Sequence, residues 1–117
     1  MKHVLIVDDN KFDRFLIGGF IQKLGHVVHD IVDGIHVEET LAKFRPDLII
    51  LDLYMPIKEG IETLVELQEN APEIPVIVMS SDGDLYQDQV LLLGAKCCIK
   101  KPFEAEEFRS VVNNILN

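Results

Sequence analysis

Positive charge is scarce in this chain: eleven Lys and Arg stand against twenty Asp and Glu, a net charge of −9 over 117 residues. A surface of that sign repels polyanions, which argues against nucleic acid or an anionic membrane surface as a partner. Cysteine is nearly absent. Cys97 and Cys98 are adjacent, lack zinc or redox spacing and lie in an apolar stretch, so they read as reduced core thiols of a cytosolic protein. No apolar run approaches a membrane span, and only four apolar residues separate Met1-Lys2-His3 from Asp8, too few for a secretory signal. There is no Asn-x-Ser/Thr acceptor, low-complexity segment, linker or solenoid-period repeat. These absences leave a cytoplasmic globular chain, one domain over residues 1–117, whose 48% hydrophobic residues can build a core without disulfides or structural metal.

Short apolar runs alternate with longer amphipathic ones. The runs Val4 to Val7, Val27 to Ile31, Leu48 to Leu51, Val76 to Met79 and Cys97 to Ile99 have strand length and are rich in β-branched residues. Between them, helical spacing is read at Phe12, Phe15, Leu16, Gly19 and Phe20, at Val37, Leu41 and Phe44, at Ile61, Leu64 and Val65, and from Leu85 to Leu93. A final set, Phe108, Val111, Val112, Ile115 and Leu116, follows the acidic first turn Glu104, Glu106 and Glu107. Gly25, Gly94 and the Arg45-Pro46 step punctuate helix ends. The order is (βα)5. Strands one, three and four are almost wholly apolar, as in a parallel sheet buried on both faces, whereas strand two carries His29 and Asp30 and strand five carries Lys96. Strands two and five are therefore the edges, which predicts an α/β doubly wound five-stranded parallel sheet of order 2-1-3-4-5, with ligands beyond the carboxyl ends of the strands.

Those ends carry the chemistry. Asp8 and Asp9 follow strand one, Asp52 strand three, Ser80 and Ser81 strand four, and Lys100 and Lys101 strand five. Clustered carboxylates in a half-buried pocket need a cation, and oxygen-only ligation with no His or Cys at hand suits Mg2+ (or Mn2+). A hydroxyl and an ammonium beside the metal would receive a tetrahedral anion, and an aspartate in that setting can take a phosphoryl group onto its carboxylate. Asp52, alone at the end of the central strand and followed by Leu53-Tyr54-Met55-Pro56 and Gly60, is the nucleophile this reading favours.

Along its whole length the chain resembles the receiver domains of bacterial two-component response regulators, the family of the single-domain chemotaxis regulator, with its flavodoxin-like fold. The motifs occur in register with the strand ends: the acidic pair Asp8-Asp9, the acceptor Asp52, Met55-Pro56 to Gly60, the hydroxyl of Ser80, and Lys101-Pro102-Phe103. The resemblance implies phosphotransfer from a histidine kinase or phosphotransfer protein to Asp52. It implies Mg2+ held by Asp9, Asp52 and the backbone carbonyl of Tyr54 with Asp8 acting through water, Lys101 paired with the phosphoryl oxygens, and a cis Lys101-Pro102 bond. It further implies a switch in which Ser80 moves to the phosphoryl group and the face of helix four, strand five and helix five changes shape. That face would meet a downstream protein or a second copy. No separate substrate is turned over, so the module is not an enzyme in the ordinary sense.

Four positions depart from the family pattern or tune it. Cys98 stands where the family carries a switch aromatic, which directs the output through the loop after strand four and helix four. Tyr54 and Asp82 occupy positions that modulate hydrolysis of the aspartyl phosphate. Lys100 beside Lys101 is unusual, and strand alternation lets only one of the pair enter the cleft.

Other readings explain less. An N-cap role for Asp8-Asp9 leaves Asp52 and Lys101 unaccounted for. The four histidines contain no i, i+4 helical pair and read as solvated. A haloacid dehalogenase-type phosphatase expects a second Asp where Tyr54 stands, and a flavin-binding module expects a neutral first loop. A degenerate receiver that only docks proteins is the remaining alternative. The apolar surplus of helix four, Leu85 to Leu93, is divided between core filling and a partner patch.

Overall fold

The computed structural model describes residues 1–53 and 57–117, the side chains of residues 57–59, 83 and 84 excepted. Five strands, β1 (His3–Val7), β2 (Val27–Ile31), β3 (Leu48–Asp52), β4 (Val76–Ser80) and β5 (Cys97–Lys100), alternate with α1 (Lys11–Lys23), α2 (Val37–Lys43), α3 (Ile57–Asn70), α4 (Gly83–Leu92) and α5 (Ala105–Leu116). A 3-10 turn, Gly34–His36, leads into α2. All pairings are parallel and the order is β2-β1-β3-β4-β5. The sequence expectation therefore holds, with β3 and β4 each one residue longer, so that Asp52 and Ser80 close their strands rather than follow them.

Strand alternation sorts the core into two layers. Leu5, Val7, Ile49, Leu51, Val76 and Val78 pack with Val37, Leu64, Leu67 and Val90 of α2, α3 and α4. Val4, Ile6, Leu48, Ile50, Ile77, Met79 and Ile99 pack with Ile17 and Ile21 of α1 and Phe108, Val112 and Leu116 of α5. Every residue of β3 and β4 is buried, as a central parallel strand covered on both faces requires. The adjacent thiols divide between the layers, Cys97 against the α1/α5 side and Cys98 against the other. Neither is in a disulfide, and burial pushes Cys97 up to about 11, far from a reactive thiolate.

Helix ends follow the punctuation. Gly25 (φ 91°) and Gly94 (φ 107°) adopt the left-handed conformation just past α1 and α4. The cap of α1 is Asn10, whose side chain accepts the Asp13 N–H at 2.9 Å; neither Asp8 nor Asp9 fills that role.

Two expectations are corrected. The buried face of α1 is Ile17, Gly18 and Ile21, whereas Phe12 and Phe15 are 69% and 80% exposed and Leu16 is also exposed. Gly18 faces the sheet, where a Cβ would stand 3.5 Å from Val28 Cγ1, an ordinary van der Waals contact. The histidines are not all independent. His3 and His29, brought together by the β1/β2 pairing, share a 3.0 Å Nδ1···Nε2 contact, and His29 also packs on Phe44.

Gly60, near the start of α3, lies directly against the residue after Asp52. A Cβ at this position would meet Leu53 Cδ2 at 2.8 Å and Leu53 Cα at 3.3 Å. Leu53 is itself buried, so it has little room to yield. Gly60→Ala is expected to lower unfolding free energy by about 1–3 kcal/mol through overpacking, measured as a reduced urea midpoint; an unchanged midpoint would show that α3 can withdraw from Leu53 without cost.

Candidate functional site

Alternation decides which strand-end side chains meet. Asp8 continues the Val4–Ile6 row, Asp52 the Leu48–Ile50 row and Lys101 the Cys97–Ile99 row, and all three rows belong to the layer covered by α1 and α5. Lys100 falls in the other phase and is exposed, so Lys101 is the lysine that enters the cleft.

Backbone hydrogen bonds hold these ends in place. The Asp8 N–H donates to the Ile31 carbonyl at 3.1 Å, Leu53 N–H to Met79 at 2.9 Å, and Lys101 N–H to Ser80 at 2.9 Å. The loop after β5 is anchored by Phe103, which packs on Phe108 of α5 and Phe20 of α1 with centroids 4.9 and 5.7 Å away. The Lys101-Pro102 bond is cis, as the resemblance implied.

The Lys101 ammonium lies 3.1 Å from Asp52 Oδ1, 3.3 Å from Asp8 Oδ2 and 2.8 Å from Asp13 Oδ2. The Asp8 and Asp52 side chains are each 1% exposed. Two buried carboxylates and a third at the rim exceed what a single ammonium neutralises. Burial chiefly raises Asp8 to about 7; the Asn10 N–H donated to it at 2.8 Å opposes this rise and the charge of Asp52 adds to it. Lys101 is affected in the opposite way: burial alone would lower it, but the hydrogen bond to Asp13 and the charges of Asp52 and Asp8 hold it above its ordinary value.

One carboxylate oxygen from each of Asp8, Asp13 and Asp52 lies within 4.8 Å of the others. This excess negative charge, an all-oxygen donor set, is the chemistry a hard divalent cation requires, so the residues fit a Mg2+-type ion. Asp8 and Asp52 were expected in this set, but Asp13 was not. Asp9 is exposed and outside that cluster. Tyr54, whose carbonyl was expected as a ligand, lies outside the described residues, as do Met55 and Pro56.

Ser80 is buried at the end of β4, and its Oγ accepts the Asp82 N–H at 3.1 Å, which fixes the turn into α4. Asp82 is exposed. Cys98 is half-buried against the layer that includes Val90, Tyr86 and Leu93, one strand residue before the row leading to Lys101.

Besides Asp13, sequence reasoning missed Arg14. Its guanidinium donates to the Asp8 carbonyl at 2.7 Å and lies 3.8 Å from Asp30, tying the end of β1 to β2. The available signal was the Asn10 cap. A cap directly after the acidic pair places Asp13 and Arg14 in the first helical turn, bordering the strand end.

Residues 4–113 match the family model of the response regulator receiver domain. The chain is 34% identical over 114 residues to sporulation initiation phosphotransferase F of Bacillus subtilis, covering 97% of this chain and 92% of that protein. It is also 34% identical to the chemotaxis protein CheY of the same organism over 118 residues, 97% of each. Among solved structures it is similar to the receiver domain of sensor histidine kinase PA1611 from Pseudomonas aeruginosa, solved with a magnesium ion coordinated in the active-site cleft. That likeness has a TM-score of 0.85 at 25% identity and covers 98% of this chain and 97% of the other.

Folded Asp8 keeps its proton up to about pH 7, whereas the unfolded chain releases it near 3.8. Between those values the folded state binds more protons, so this group's contribution to stability falls as pH rises and levels off above about 7. With chelator present, urea unfolding should show that decline in the native chain and lose it in Asp8→Asn. Parallel pH profiles for the two proteins would contradict the buried charge at Asp8.

Proposed function

Because the chain belongs to the response regulator receiver domain family, we propose that it is a phosphorylation-switched signalling module whose acceptor is Asp52. The observation that carries this reading is a buried Asp52 carboxylate held 3.1 Å from the Lys101 ammonium beside a second buried carboxylate. An acceptor of a dianionic group needs a cation at that distance, and the neighbouring carboxylates supply the oxygen donors a divalent ion takes.

The donor is the phosphohistidine of a histidine kinase or phosphotransfer protein. An Asp52 oxygen forms the new P–O bond as the P–N bond breaks, and the electron pair of that bond stays on the donor imidazole. Lys101 stands where it can pair with the phosphoryl oxygens, and the Ser80 hydroxyl, released from the Asp82 N–H, can donate to one of them. Mg2+ (or Mn2+) held by Asp9, Asp52 and the Tyr54 carbonyl, with Asp8 through water, would supply charge neutralisation at the carboxylates and the transferring oxygens.

Ser80 links acceptance to output. Its Oγ holds the first turn into α4, so drawing it toward Asp52 releases that turn. α4 presents Leu85 and Leu92, 73% and 88% exposed, and so contributes apolar area to the α4–β5–α5 face that would meet a downstream protein or a second copy. Cys98 is too small to relay the change by ring rotation, so the turn and α4 carry it. Tyr54 and Asp82 set how readily water reaches the phosphoryl group.

Incubation with acetyl phosphate and Mg2+ should add one phosphoryl group to the intact mass. The gain should vanish in Asp52→Asn and in excess chelator. No gain under any condition, together with no beryllofluoride binding, would leave the docking-only alternative.

A further inference from the structure

The shortest contact of the Lys101 ammonium is with the carboxylate at the rim, Asp13, at 2.8 Å, ahead of Asp52 and Asp8. We propose that Asp13 is a positioning residue that holds Lys101 in reserve and thereby sets how strongly the pocket takes up a phosphoryl group. This rests on Asp52 being the phosphoacceptor.

Asp13 is built into the site from a rigid element. It stands in the first turn of α1, with its backbone N–H fixed by the Asn10 side chain. Its side chain is 28% exposed against 1% for Asp8 and Asp52, so it retains contact with water while reaching the same ammonium. Phosphorylation replaces the single charge of Asp52 by roughly two. The ammonium must then serve a more anionic acceptor while Asp13 still competes for it at hydrogen-bonding distance. Asp13 also adds its own charge to a pocket about to receive more of the same sign.

The two effects of removing that charge have opposite signs. A bare cation prefers the more negative pocket, so Asp13→Asn should bind Mg2+ alone more weakly. A phosphoryl analogue prefers the less negative one, so the same variant should bind it more tightly. A loss of shape or stability would weaken both.

The test compares the native chain with Asp13→Asn and Asp13→Glu, using Mg2+ titration by calorimetry and beryllofluoride binding by fluorine NMR in saturating Mg2+. In Asp13→Asn, Mg2+ affinity should fall about two- to fivefold and beryllofluoride affinity rise about five- to tenfold. Asp13→Glu should return both toward the native values. With chelator present, the Lys101 ammonium nitrogen resonance should shift in Asp13→Asn. Equal affinities, shifts of the same sign, or an unmoved Lys101 resonance would overturn the assignment. If the native chain bound no beryllofluoride, the phosphoacceptor reading would fail and take this inference with it.

Discussion

One ammonium group organises the working end of this molecule. Lys101 is the cation shared by Asp8, Asp13 and Asp52, side chains drawn from β1, α1 and β3, and its own backbone N–H is bonded to β4. Carboxylates at this depth are costly without a cation beside them. The ammonium still falls short of the charge around it, and that shortfall defines the chemistry. The pocket is stable enough to fold yet electrostatically incomplete, so it gains from a divalent ion.

The supporting structure follows from keeping that ammonium in place. Phe103 is clamped between α1 and α5 immediately after Lys101 and Pro102, so the loop cannot swing the lysine out without breaking an aromatic cluster. Gly60 brings α3 onto the residue after Asp52. Arg14 fixes the carbonyl of Asp8 from the same turn of α1 that carries Asp13. The first turn of α1 is thus as much a part of the site as the strand ends.

Strand order and edges were legible because they rest on local signals: apolar runs, the polar His29 and Asp30 of β2, and Lys96, which the structure places just before β5 rather than in it. Alternation admits only one of Lys100 and Lys101 to the cleft, and the family motif singled out Lys101. The phase of α1 was not legible. Phe12, Phe15 and Phe20 have helical spacing and large apolar area, but the face α1 turns to the sheet is Ile17, Gly18 and Ile21, a matter of tertiary packing rather than of spacing. Asp13 was missed because its contact with Lys101 joins residues 88 apart in the sequence. The His3–His29 pair was hidden for a related reason, since it depends on the register between two strands rather than on spacing within one element.

Cys97 and Cys98 are neighbours in sequence but belong to separate halves of the interior, one facing α1 and α5, the other the layer under α4. Each thiol is half-buried in the folded state, so its modification by a small reagent speeds up when its own layer opens. The protein thus carries two internal clocks side by side. Their rates, read one at a time in Cys97→Ser and Cys98→Ser, distinguish a fluctuation of the layer under α4 from one that loosens the α1/α5 side.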